Sequence, residues 1–344
     1  MIPPDPKGTP AGVLTRPWRR LYPFEWLLLA QVAAMLLLLH LRGFGRVFGT
    51  LVFSFKAFLI MPVVLSLAGM ALTAAFLSVR PRTRSEGLRY LRGLLTGEWW
   101  LLSARLWVGI VLTTHVYTWL KLCTPDLNPG TVDQALWALE NRLFLGTSPN
   151  IVFLELFHHP WILSFTDWSY AKFFMAGLWG AIIFFPALPS TRLRVSAITA
   201  FAILWTAGGW LHVLIPALGP CYWFPGLWKP YAPWLRLTLH SQASLLENYQ
   251  RLALFKHGAD FQVNPLWGVA AFPSMHNANQ FLLAFWAWRL GRFPGWVVTL
   301  SAVAVFFGSV ITGWHYLVDS IAGVLMAWGA FALSSRLLRD PAAR

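Results

Sequence analysis

Apolar runs of membrane-spanning length recur along the whole chain and leave little choice of fold. A hydrocarbon core about 30 Å thick takes roughly 20 helical residues to cross. Runs of that order lie at about 23–41, 50–78, 99–120, 161–188, 195–216, 268–288, 294–312 and 314–335. Composition agrees: 57% of the 344 residues are hydrophobic and only 12% are charged, with a mean hydropathy of +0.56. Backbone polar groups in lipid must be satisfied internally, which leaves helices or a closed barrel. A barrel would show short segments of alternating polarity, and none is evident. The expectation is an all-α polytopic membrane protein with about eight transmembrane helices. The first run continues through Leu36-Leu37-Leu38-Leu39 to His40-Leu41-Arg42 with no small-residue cleavage pattern, so it reads as a retained span.

The formal charge of +14 and a pI near 10.5 would suggest nucleic acid in a soluble domain. Here the basic residues sit in short connectors between apolar runs, as membrane topology requires, and nucleic acid is not expected as a partner. With the N-terminus inside, the inner segments carry sixteen of the 27 lysines and arginines, the outer segments eight, and the spans Lys56, Arg105 and Lys172. That bias predicts both termini in the cytoplasm. The starts of the sixth and eighth spans then face outward, toward a periplasm, exterior or lumen.

The chain divides into a basic, proline-containing tail (1–22), two N-terminal spans with a basic connector (23–97), a transmembrane core (98–336) and a short tail (337–344). Within the core, 121–160 is more polar. Residues 131–145 have helical apolar spacing (Leu136, Leu139, Leu143, Phe144), which predicts an amphipathic surface helix. Residues 217–267 read as a long, aromatic-rich and ordered outer loop. Cys123 and Cys221 fall on the same expected outer face, where a disulfide is permitted but not implied. With no CxxC motif, a zinc or iron–sulfur site is not expected.

Two of the outward starts carry ionisable residues. Phe272-Pro-Ser-Met-His276 opens one late span and His315-Tyr-Leu-Val-Asp319 opens another, thirty-nine residues later by histidine spacing. A single histidine at a membrane boundary is most simply an interfacial residue. An aspartate within a span is costly, however, and tends to have a partner or a function. On a helix, His315 and Asp319 would share one face, so the carboxylate could fix the imidazole tautomer and leave the other nitrogen free. One imidazole as nucleophile and a second as acid and base is the division of labour that phosphoryl transfer through a covalent intermediate needs. A proton-relay transporter would use similar residues, but no inverted repeat or paired broken helices are evident.

Phe272-Pro-Ser-Met-His276 and Gly313-Trp-His315-Tyr-Leu-Val-Asp319 resemble the second and third signature motifs of the type 2 phosphatidic acid phosphatase superfamily. The forms are closest to its inositol phosphorylceramide synthase-like branch. The resemblance implies a six-helix core over about 161–335 plus the span near 99–120. It implies His315 as the nucleophile that forms a phosphohistidine, His276 as general acid and base, and Asp319 as the residue orienting His315. Pro273 and Ser274 would help hold phosphate. The implied substrate is a lipid with a phosphate-containing head group, reached from the bilayer. Water as acceptor gives a phosphatase, and a lipid hydroxyl such as a sphingoid alcohol gives a phosphotransferase. No metal or cofactor is required. Met275 stands where the broader pattern has Gly, and Ser309 where it has Arg. The first motif, a lysine seven residues before Arg-Pro, is absent. Lys172, Lys256 and Arg251 are then the candidates for the phosphate-binding cation. His115 and His212 read as packing or interfacial residues, and Arg105 as reaching toward the inner face.

Overall fold

The computed structural model describes residues 21–44, 48–79, 83–256 and 268–338, and the side chains of 48–58 and 252–256 lie outside the description. Among the described residues the only regular secondary structure is helix, without a strand. In chain order the helices are α1 (Pro23–Leu41), α2 (Phe48–Val79), α3 (Arg84–Leu94), α4 (Gly97–Leu127), α5 (Asp133–Leu143), α6 (Pro149–Leu156) and α7 (Pro160–Phe184). They continue with α8 (Thr191–Leu214), α9 (Pro220–Trp223), α10 (Arg236–Lys256), α11 (Met275–Leu290), α12 (Arg292–Ile311) and α13 (Leu317–Leu337). Six of these, α1, α4, α8, α12, α13 and the Leu59–Val79 part of α2, are long and apolar enough to cross a membrane. α7 and α11 coincide with the other two expected spans. The architecture is that of a polytopic all-α membrane protein.

Helix boundaries follow local chemistry. Pro160 and Pro149 occupy first turns, where a missing N–H costs nothing. Ser148, Ser190 and Ser274 accept from the first-turn amides of α6, α8 and α11. Glu25 reaches back to the Tyr22 amide at 2.7 Å. It also pairs with Arg105, whose Nε donates to Glu25 Oε1 at 2.7 Å and whose guanidinium lies 4.4 Å from the Tyr22 ring centre. The arginine inside the third expected span is thus neutralised by α1.

α4 packs along α8, α11 lies between α12 and α13, and α7 closes the bundle against α2, α11 and α12. The main apolar cluster joins Leu106 and Ile110 of α4, Ile198 and Phe201 of α8 and Leu282 of α11. Large apolar side chains of the outer helices, such as Ile60, Leu300, Leu325 and Trp328, remain exposed, as a lipid-facing surface requires. Cys123 and Cys221 pack into two different apolar clusters rather than against each other.

Three segments differ from expectation. The basic connector contains α3. The polar stretch after α4 holds α6 as well as the expected amphipathic helix, α5. The long loop contains the 21-residue α10, which lies against α4 and α7. Asp167 of α7 accepts from the Leu237 and Thr238 amides at 2.8 Å each, so the N-terminus of α10 is capped by a carboxylate from another helix.

Candidate active site

The two histidine motifs meet at one end of α11 and α13. Ser274 is the N-cap of α11, so His276 lies in its first turn. His315 precedes α13 in the short link from α12, and its own amide donates to the Ser309 carbonyl at 3.1 Å. The His315 Nε2 and His276 Nδ1 atoms are 3.3 Å apart, with the rings nearly perpendicular at 84°. Glycines allow this approach. A Cβ on Gly323 would stand 2.3 Å from the Ser274 carbonyl oxygen, so α13 can touch the start of α11 only because none is there. Gly313 has φ +76° and abuts the Trp228 ring, which fixes the turn two residues before His315.

The His315 imidazole has a second partner besides the expected carboxylate. It lies outside the helix, and its Nδ1 is 3.6 Å from Asp319 Oδ2, beyond hydrogen-bond reach. Its Nδ1 also faces the Ala271 carbonyl at 2.9 Å. Asp319 occupies the third position of α13, where its Oδ2 accepts from the Tyr316 amide at 3.0 Å. A carboxylate there satisfies an orphan helix donor, so the same Oδ2 that lies 3.6 Å from the imidazole spends its hydrogen bond on the backbone. Since a carbonyl can only accept, Nδ1 of His315 carries hydrogen and its Nε2 keeps a lone pair toward His276.

The loop around the site is held by groups remote in sequence. Asn150 of α6, fully buried, donates to the Val310 and His315 carbonyls at 2.7 and 3.1 Å. Asp133 accepts from the Leu218 amide at 2.9 Å, the Gly219 amide at 2.8 Å and the Tyr316 hydroxyl at 3.0 Å. Glu140, one helical face along α5, accepts from the Val318 amide at 2.9 Å. Burial pushes the Glu140 carboxyl up to about 7, opposed by the Val318 amide and reinforced by the nearby Asp319 charge. The Tyr316 phenol is likewise raised, by burial first and then by Asp133. The inward face of α5 is therefore built on two carboxylates as well as on apolar residues.

His212 joins the site. Its Nδ1 donates to the Phe272 carbonyl at 2.8 Å and its Nε2 lies 3.2 Å from the Tyr117 hydroxyl, so it supports the loop before His276. The Phe272–Pro273 peptide of that loop is cis. Ser274 is wholly buried. Its amide donates to the Asp319 carbonyl at 3.0 Å and joins α11 to α13, while its hydroxyl oxygen accepts from Asn277 and caps α11. Ser309, at the position expected for arginine, is buried and bonds to Asn277 at 3.1 Å.

Neither Arg251 nor Lys172 is brought to the histidines. Arg251 is exposed and pairs with Glu247 at 2.6 Å. Lys172 stands two residues from Tyr170, which turns it roughly 200° around α7 from the side that meets His276. The side chain of Lys256 lies outside the described residues. The cation that the fold ties to this cluster is Lys121, near the C-terminal end of α4: its Nζ lies 5.9 Å from the ring centre of Tyr117, whose hydroxyl meets His212. A signal for it exists in the sequence: Lys121 stands seven residues before Asn128-Pro129, one residue type away from the first motif. Charge counting had assigned it only to an outer connector.

Tyr170 completes the cluster, its hydroxyl 2.6 Å from His276 Nδ1. Together these groups offer a nucleophilic nitrogen, a second imidazole against it and a nearby cation for an anionic ligand.

Comparison with curated proteins and with solved structures returns no match. A family profile, that of the PAP2 superfamily, matches residues 134–333, which take in α5 to α12, most of α13 and both histidine motifs. Since the match covers more than half of the chain, the protein belongs to the PAP2 superfamily.

Proposed function

We propose that this protein is an integral-membrane enzyme that cleaves or transfers a phosphate-linked group of a lipid through a phosphohistidine at His315. The observation that carries the reading is the tethered imidazole. Its Nδ1 is held by the Ala271 carbonyl at 2.9 Å, while its Nε2 points at His276 Nδ1 at 3.3 Å.

In the first half-reaction His315 Nε2 attacks phosphorus and the bond to the leaving oxygen breaks. His276 supplies the proton that this oxygen needs. In the second half-reaction His276 takes the proton of an incoming hydroxyl, whose oxygen displaces the phosphorus from Nε2 and restores His315. Lys121 offsets the charge on the phosphoryl oxygens. Asp319 and Glu140 hold the start of α13, and the Ala271 carbonyl orients the nucleophile. The lipid head enters at the end of the bundle where α5, α6 and α10 lie, with its chains in the bilayer. By charge bias this is the outward face, and both termini are cytoplasmic.

Water as the acceptor makes the protein a lipid-phosphate phosphatase, and an alcohol makes it a phosphotransferase. The Phe272-Pro-Ser-Met-His276 and His315-Tyr-Leu-Val-Asp319 forms favour the transferase arm, of the inositol phosphorylceramide synthase-like kind. The test is incubation of the purified protein with phosphorus-labelled phospholipids and isoprenyl phosphates, with and without lipid alcohols. Alkali-stable label on wild-type protein, absent from His315→Ala, is the expected result. Undiminished lipid turnover by His276→Ala and His315→Ala overturns the mechanism.

A further inference from the structure

No carboxylate among the described residues meets His276. The side chain that meets its Nδ1 most closely is Tyr170, at 2.6 Å. Tyr170 lies one turn before Phe174, which stacks on it at 6.3 Å and sits 4.0 Å from the His276 ring centre. On its other side Trp314, adjacent to the nucleophile, faces it at 6.5 Å and 29°. The phenol is only 3% exposed. Its position depends on a close crossing of α7 and α12, because a Cβ on Gly308 would stand 2.9 Å from the Tyr170 Cβ.

The hydrogens in this cluster follow from the fixed partners. His315 has its hydrogen on Nδ1, toward Ala271, so its Nε2 presents a lone pair to His276. A second lone pair facing it at 3.3 Å would be repulsive, so His276 carries hydrogen on Nδ1. The shorter contact of that N–H is to the Tyr170 oxygen, which accepts. A phenol that accepts still has its own O–H to donate, and no described residue takes it.

Resting on the phosphohistidine reading above, we propose that Tyr170 is a further catalytic residue, relaying the proton between His276 and the oxygen that leaves or enters. As the His315 Nε2–phosphorus bond forms, the phosphorus–oxygen bond breaks with its electron pair on the leaving oxygen. That oxygen takes the Tyr170 hydroxyl proton, and the phenol takes the Nδ1 proton of His276. His276 enters this step as the imidazolium, protonated on Nε2 from water at its partly exposed edge, and leaves it neutral. The incoming hydroxyl reverses the transfers.

The test compares leaving groups in the full-length purified protein. An alkoxide must be protonated as it departs, whereas p-nitrophenolate leaves unaided. Tyr170→Phe therefore lowers turnover of an alkyl phosphate ester by about a hundredfold and that of its p-nitrophenyl counterpart by less than about threefold. Equal losses on both esters, or none on either, overturn the relay. Difluorotyrosine at position 170 keeps the ring shape while making the hydroxyl more acidic. It moves the alkaline limb of the rate profile to lower pH, and an unmoved limb refutes the inference if Tyr170→Phe folds poorly. His315→Ala run beside them separates the two readings. Activity in that variant defeats the phosphohistidine, whereas a dead His315→Ala with a fully active Tyr170→Phe defeats the relay alone.

Discussion

Replacing Asp133 with asparagine tests how the loop beside His315 is held. The side chain is fully buried and takes three hydrogen bonds, from the Leu218 amide on Oδ2 and from the Gly219 amide and Tyr316 hydroxyl on Oδ1. Asparagine offers one accepting oxygen and one donating amide. If the amide replaces Oδ1, the Tyr316 hydroxyl can rotate and accept from it, but the Gly219 N–H is orphaned. If the amide replaces Oδ2, the Leu218 N–H is orphaned. Each flip leaves one buried donor unsatisfied, about 1–3 kcal/mol, and removes the charge assistance from the bonds that remain. The total loss is about 2–4 kcal/mol, a fall in Tm of roughly 4–8 °C. The assay is thermal unfolding of detergent-solubilised protein followed by tryptophan fluorescence, with the exposed Gln134→Ala as control. Turnover falls as well, because the Ala217 carbonyl beside this anchor accepts from the Ala271 amide at 2.7 Å, and Ala271 orients His315. A Tm indistinguishable from that of the control would show that the carboxylate does not anchor the loop.

Glu140 gives a pH-dependent stability. A carboxyl whose folded value rises from 4.5 to about 7 binds more protons folded than unfolded between those limits. Stability therefore falls as pH rises through that window, by about 3 kcal/mol. Glu140→Gln flattens the dependence, which Tm measured at about pH 5 and about pH 8 reads directly. Gly323→Ala puts a methyl 2.3 Å from the Ser274 carbonyl, forcing α13 away from α11, whereas nothing lies within 4 Å of a Cβ on Gly329. The first costs about 1–3 kcal/mol and most activity, and Gly329→Ala leaves Tm and activity in place. Lys121→Met lowers turnover of phosphate esters by about 10²–10³ without lowering Tm, and Lys121→Arg retains part of the rate. Equal activity in Lys121→Met would remove this lysine from phosphate binding.

Much of the fold was legible because membrane spans are encoded by local composition. Every expected span overlaps a helix, six of them helices long and apolar enough to cross a membrane, and prolines and serines mark several of the starts. The pairing of His276 with His315 was legible too, since the one helix between the two motifs returns the chain to the same face. Spacing could not reveal which partner each imidazole takes. His315 and Asp319 stand four apart, yet the helix begins between them and Asp319 caps it.

The sequence by itself determined a polytopic helical membrane protein and the convergence of its two histidine motifs. These follow from apolar length and from the residue types that chemistry in lipid requires. Tertiary structure alone decided what holds the site: the Ala271 carbonyl on His315, Tyr170 on His276, and Asp133, Glu140 and Asn150 beneath the loop. Those contacts join residues tens to more than a hundred positions apart. A buried carboxylate on α5 looks, in sequence, like the solvated face of an amphipathic helix. Only tertiary packing, against the 218–219 turn and the start of α13, gives it those donors to meet.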